Sequence, residues 1–443
     1  MAKAKKVGLY LDSGTILRNP GYLEVLQEKL GLNLVILGFT GELSQEVLAL
    51  TPFDGAPPSE ERIRALITRD IAGRIPATSL DSARNSLGPC VGLKGNDAEL
   101  RAAIDLLHRL GIEVWLLGGG WQSSDYQNLG YCPSKEETNR WYEALFVYMV
   151  RNYDVEGVDI THARYTMASE TRGLFACACP DCARAAAALG YDMEQIRADI
   201  FAAWERLKRL DGRRLVQVAG QGAGFFDELQ ILGMRDGVSQ WFQFRARLLS
   251  KHLKRFRDAV HAAAGEGFIF GSDTYPASLS LFVGHDHAHW AEFSDFASPL
   301  LSHADIFCTK TLVAWAGFLR ALHPEISEAE ALGVIYRLLG YDNLGLPKNF
   351  ADFALGAPDC EFRNVPLVEL LLRDMAKARL YLGDEIPCYP IIQGGGAPHD
   401  WPRPLIEKLI AGAEALGHNG IIFQGTKSLV DLVGAKHLLN EKA

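Results

Sequence analysis

Eight short apolar runs, each ending in glycine or polar residues, constrain this chain more than any other feature. They are Val7–Leu11, Leu32–Leu37, Ile112–Leu117, Val155–Ile160, Phe268–Phe270, Asp305–Cys308, Cys388–Ile392 and Gly420–Phe423. Between them lie segments with apolar residues at helical spacing: Glu99–Leu110, Lys135–Asn152, Gln240–Ala264, Pro366–Leu382 and Pro404–Leu416. Short strands alternating with helices imply a parallel sheet, and eight of them favour closure into a (β/α)8 (TIM) barrel of the α/β class. The expected organisation is one barrel domain over residues 1–443, with long loops after strands two, four and six and a helical insertion over about 183–236. The rival is a doubly wound sheet. Its dinucleotide signature is absent, because Gly118-Gly119-Gly120 runs into Trp-Gln-Ser-Ser and not into a G-x-G-x-x-G helix start.

Composition narrows the function. The 443 residues are 48% hydrophobic and 22% charged, enough apolar side chain for a large core. Net charge is -9 and there is no long basic run beyond the short Lys3–Lys6 start, which argues against nucleic acid as a partner. No apolar run approaches the roughly 20 residues of a membrane helix, and the N-terminus lacks a signal-peptide core. Dispersed cysteines outside one cluster point to a reducing, cytoplasmic setting. Self-association into a homo-oligomer is left open.

In a barrel the chemistry gathers at the C-terminal strand ends. Asp159, flanked by Val158 and Ile160, is the first candidate carboxylate, with Arg164 as its expected partner. Asp273 ends the fifth run and is the second, expected to contact Lys310 at the end of the sixth. Trp121, Tyr275 and Trp315 near strand ends are candidate platforms for sugar faces. His162, Arg164, Lys310, Gln393 and Gln424 are candidate hydroxyl-binding groups, and Glu42 after the second run is a further candidate substrate-binding carboxylate.

The cysteines carry a separate signal. Cys177, Cys179 and Cys182 form a C-x-C-x-x-C motif and Cys132 lies upstream, the composition of a closed four-thiolate zinc site that adds stability and does no chemistry. The run Gly284-His285-Asp286-His287-Ala288-His289-Trp290 lacks a matching distant ligand and is read as hydrogen-bonding, not metal-binding.

Taken in order, Cys132-Pro133-Ser134, the segment Gly157 to Tyr165, and Phe175 to Cys182 resemble glycoside hydrolases of the family 42 β-galactosidase type. They resemble still more the uncharacterised glycosidase-like barrels allied to that family. Trp241–Leu253, Val283–Leu300, Pro390–Gly394 and Gly420–Gln424 extend the likeness over most of the chain. The resemblance implies structural zinc on the four cysteines and a saccharide substrate. Family 42 enzymes place an Asn-Glu pair at the fourth strand end and a Glu at the seventh. Here those places hold Thr161-His162 and Gln393, so the expected hydrolase uses a non-standard pair, Asp273 with Asp159. Two alternatives accompany it: a carbohydrate-binding barrel without hydrolysis, and a lyase or isomerase using Lys310 and His162.

Overall fold

The computed structural model describes residues 5–50, 96–121, 132–169, 173–175, 178–354, 364–394, 401–425 and Leu429. Eight strands form one parallel sheet: β1 (Lys6–Leu11), β2 (Leu34–Gly38), β3 (Glu113–Gly119), β4 (Gly157–Thr161), β5 (Ile269–Thr274), β6 (Ala297–Pro299), β7 (Ile391–Gln393) and β8 (Gly420–Gln424). Their spatial order is β6-β5-β4-β3-β2-β1-β8-β7. Parallel bridges Ala297↔Cys388 and Leu300↔Ile391 join the two ends, so the sheet closes into a (β/α)8 barrel. The near-continuous burial of β2, β3 and β4 fits strands covered by helices outside and by side chains within.

Seven of the eight apolar runs coincide with strands. The sixth does not. Asp305–Thr309 is a π-helical turn that leads into the helix Lys310–Leu322. Phe307, Cys308, Leu312, Ala316 and Leu319 are buried along one helical face, which explains the apolar run. The true sixth strand, Ala-Ser-Pro at 297–299, pairs with β5 through Ser272↔Ala297, Asp273↔Ser298 and Thr274↔Pro299. Three residues ending in proline are too short to show a strand period.

The triple glycine is a packing device. A Cβ on Gly120 would lie 2.5 Å from Ala163 Cα and from His162 O, and one on Gly118 would lie 2.6 Å from the Phe146 ring. Only glycine lets the end of β3 approach the segment after β4 this closely.

Between β4 and β5 the chain forms helices Pro180–Ala188, Met193–Arg209, Gly212–Gln221 and Phe225–Ile231, then the long helix Gly237–Ala264. Asp192 and Asp211 cap two of them through side-chain bonds to Gln195 N and Arg214 N. A satellite core of Cys132, Cys182, Ile196, Trp241 and Phe244 fastens this region beside the main core. No helix of the described residues is long and apolar enough to cross a membrane.

Candidate active site

Two carboxylates occupy the C-terminal end of the barrel. Tyr10 on β1 donates its hydroxyl to Asp159 Oδ2 at 2.7 Å. Because β1 and β4 are not neighbours, this bond spans the lumen, and Asp159 therefore points inward. Asp159 pairs in register with Gly271, so Asp273 sits two residues further along β5 on the same face. Thr161 Oγ1 donates to Asp273 Oδ2 at 2.6 Å. Both carboxylates are essentially buried, and Oδ1 of each has no hydrogen-bond partner. Tyr10, which holds Asp159, also lines a cleft of about 370 Å³ between the ends of β1, β2 and β3, together with Asp12, Ser13, Gly38, Thr40 and Leu117.

The burial has an electrostatic consequence. Asp159 is pushed up to about 8, first by desolvation and then by the charge of Asp273, against the opposing bond from Tyr10. Asp273 is raised to about 6 by desolvation, with the Arg164 charge, the Thr161 hydroxyl and the His162 backbone pulling it back. The pair thus titrates across the neutral range, and Asp159 keeps its proton longer. Tyr10 is raised well above its ordinary value by burial and by both carboxylates, so it remains a donor. Tyr10 escaped the sequence reading. The available signal was a lone phenol in an otherwise apolar strand.

Arg164 does not pair with Asp159 as expected. Its guanidinium is fully buried 5.4 Å from the centroid of Tyr275 and 5.2 Å from that of Phe307, and none of its nitrogens has a hydrogen-bond partner. His162 links β4 to this residue with a left-handed backbone (φ 59), an uncommon geometry for a non-glycine residue that turns the chain at the strand end. Burial holds the His162 imidazole well below its usual range, and Arg164 adds to the effect.

The aromatic expectations change. Trp121 is 1% exposed and donates to Asn139 Oδ1 while stacking on Phe256, so it braces two helices and offers no open platform. Tyr275 is fully buried, accepts from Ala168 N and packs on Phe307; it forms the wall under Arg164. Trp315 donates to Ala168 O. Lys310 begins a helix instead of ending a strand, and the expected bond to Asp273 is replaced by that from Thr161. Glu42 is exposed beyond β2 and takes no part in the hydrogen bonds of the carboxylate pair. Gln393 and Gln424 are paired neighbours at the ends of β7 and β8, and Gln424 Oε1 accepts from Ser302 Oγ at 2.6 Å.

Cys132, Cys179 and Cys182 converge. Their sulfurs lie 3.4 Å (132–182), 3.7 Å (132–179) and 3.7 Å (179–182) apart. Tetrahedral zinc with Zn–S of about 2.3 Å needs sulfurs roughly 3.8 Å apart, so these three fit three corners. Cys179 caps the helix Pro180–Ala188 and Cys182 lies in its first turn, where the helix dipole favours thiolates. Cys177 lies outside the described residues. The histidine run is spent on hydrogen bonds at two of its positions: His285 Nδ1 accepts from Tyr275 N and Nε2 lies 3.1 Å from Ala163 O, and His289 pairs with Asp286. Among the described residues, the cysteines are the group of potential metal ligands that converges.

Fold and site together define a (β/α)8 barrel with a buried carboxylate pair at its C-terminal mouth. Among solved structures it is similar to the PgaB (BpsB) glycoside hydrolase domain from Bordetella bronchiseptica, at 11% identity and TM-score 0.52, over 99% of this chain and 100% of that one. It is also similar to the catalytic domain of β-amylase from Paenibacillus polymyxa (9% identity, TM-score 0.42, 98% and 95% of the two chains). A chitinase from Chromobacterium violaceum follows (8%, 0.41, 98% and 99%). At 11% identity the likeness to the PgaB domain speaks for the fold alone, and nothing in it singles out family 42. No protein-family model matches the sequence, and no curated protein matches it.

Proposed function

We propose that this protein is a glycosidase-like hydrolase acting on a small saccharide or glycoside, with Asp159 and Asp273 as its acid–base pair. One observation carries the reading: two buried carboxylates on adjacent strands share a face, each accepting from a hydroxyl through Oδ2 and each with Oδ1 lacking a hydrogen-bond partner. Environments that push two carboxyls apart in acidity assign their roles. Asp159 retains a proton and gives it to the glycosidic oxygen as the C–O bond breaks. Asp273, ionised first, takes a proton from the water that attacks the anomeric carbon. The register separates the two Cα atoms by roughly 8 Å, leaving space for linkage and water between the side chains. Gln393 and Gln424 supply donors and acceptors for hydroxyls. The fold shared with the PgaB glycoside hydrolase domain supports this reading.

The expected kcat/KM on aryl glycosides is bell-shaped in pH, with limbs near 6 and 8 that belong to the pair. A profile flat from pH 5 to 9 would remove the pair from the chemistry. Sugar binding without turnover would favour the alternative of a non-hydrolytic carbohydrate-binding barrel, which Gln393 in place of a carboxylate motivates.

We also propose that Cys132, Cys177, Cys179 and Cys182 hold a structural zinc that ties the segment before helix Glu136–Asn152 to the helices after β4. Bound there, the metal would supply rigidity to the satellite core. Purified protein is expected to carry about one zinc per chain by elemental analysis. Cys182→Ser should lose it and lower the melting temperature by roughly 10 °C or more. Metal-free protein with an unchanged melting temperature would sink the proposal.

A further inference from the structure

Arg164 is the least explained charge among the described residues. It is fully buried, and Nε, Nη1 and Nη2 all lack hydrogen-bond partners. Guanidinium does not shed its proton, so the charge cannot be relieved in that way. Buried charges in native proteins are paired, because an unpaired one is strongly destabilising.

The neighbours leave the position open. Tyr275 and Phe307 contact the guanidinium through their rings and offer it no lone pair. Both nitrogens of His285 are committed to Tyr275 N and Ala163 O, and the Tyr275 hydroxyl to Ala168 N. Asp273 is bonded through Oδ2 to Thr161, and its free Oδ1 makes no ion pair with Arg164. Asp159 is held by Tyr10. A permanent cation with aromatic contacts and unused donors suits an oxyanion taken in the guanidinium plane.

Resting on the reading of the site as a glycosidase, we propose that the substrate carries a carboxylate, as in a uronic acid, and that Arg164 binds it. A neutral sugar could occupy the donors but would leave Asp273, whose acidity already feels the Arg164 charge without an ion pair, as the counter-charge; a carboxylate fills the donors and meets the charge directly. Arg164 then determines specificity between acidic and neutral sugars at the carboxylate pair.

The test compares p-nitrophenyl glycosides with their uronide counterparts in the gluco, galacto and manno series, both anomers, on the purified full chain. Free glucuronate, galacturonate and mannuronate are tested in parallel for thermal shifts. The expected result is a kcat/KM at least about 100-fold higher for one uronide than for its neutral counterpart. Arg164→Lys should reduce that preference at least 10-fold, because an ammonium keeps the charge but loses the planar fork. Neutral glycosides turned over as well as uronides would overturn this inference while leaving hydrolysis standing. Absence of any turnover, with a uronate thermal shift that Arg164→Lys weakens, would overturn hydrolysis and keep the carboxylate site. The absence of both turnover and a uronate shift would overturn the inference. The wild-type comparison decides even if the variant fails to fold.

Discussion

Asp273→Asn is expected to lower turnover of the preferred aryl glycoside by about 10²–10⁴-fold without lowering the melting temperature at neutral pH. The amide oxygen can still accept from Thr161 Oγ1, so the local hydrogen bond survives while the base is lost. Thr161→Val separates the two roles. It removes a bond that pulls the Asp273 acidity back toward normal, so the acid limb of the pH profile should move upward and part of the activity should persist. Steady-state kinetics across pH 5 to 9 on both variants is the measurement. Full activity in Asp273→Asn would eliminate it as the base.

Asp159→Asn should combine loss of activity with a gain in stability above neutral pH. The folded carboxyl titrates at about 8 against roughly 4 in the unfolded chain. Between those values the folded state holds a proton that the unfolded state releases, so stability falls as pH rises from about 4 through about 8. A neutral isostere that still accepts from Tyr10 escapes this cost, on the order of a few kcal/mol. The variant should therefore melt several degrees above the parent at pH 8, and the gap should close at pH 4, where the parent's Asp159 is also neutral. Thermal melts at pH 4, 6 and 8 read this directly. A variant less stable than the parent at pH 8 would show that the native ionised Asp159 is fully compensated by its surroundings. Stability lost to a functional site is a common trade.

Much of the architecture was legible because strand and helix periods are local. Val7–Leu11 and Gly420–Phe423 show apolar runs ending in polar residues, and both became neighbouring strands of the barrel. Asp305–Cys308 misled because a buried helical turn and a buried strand present the same short apolar run. At the site, Asp159 and Asp273 stood out as carboxylates at strand ends, but their partners did not. Trp121 looked like a platform because its position in the sequence says nothing of which helices pack over it.

The sequence by itself determined the barrel, the carboxylates at its mouth and the spacing of the thiols, since each is written within a few residues. Tertiary structure decided what those groups touch. Tyr10 meets Asp159 across 149 residues of chain only because the sheet closes and places β1 opposite β4. The expected bonds from Arg164 to Asp159 and from Lys310 to Asp273 failed for the same reason. Sequence proximity and strand order constrain where a backbone passes, whereas a hydrogen bond depends on side-chain direction to within a few tenths of an ångström, which only the assembled barrel sets.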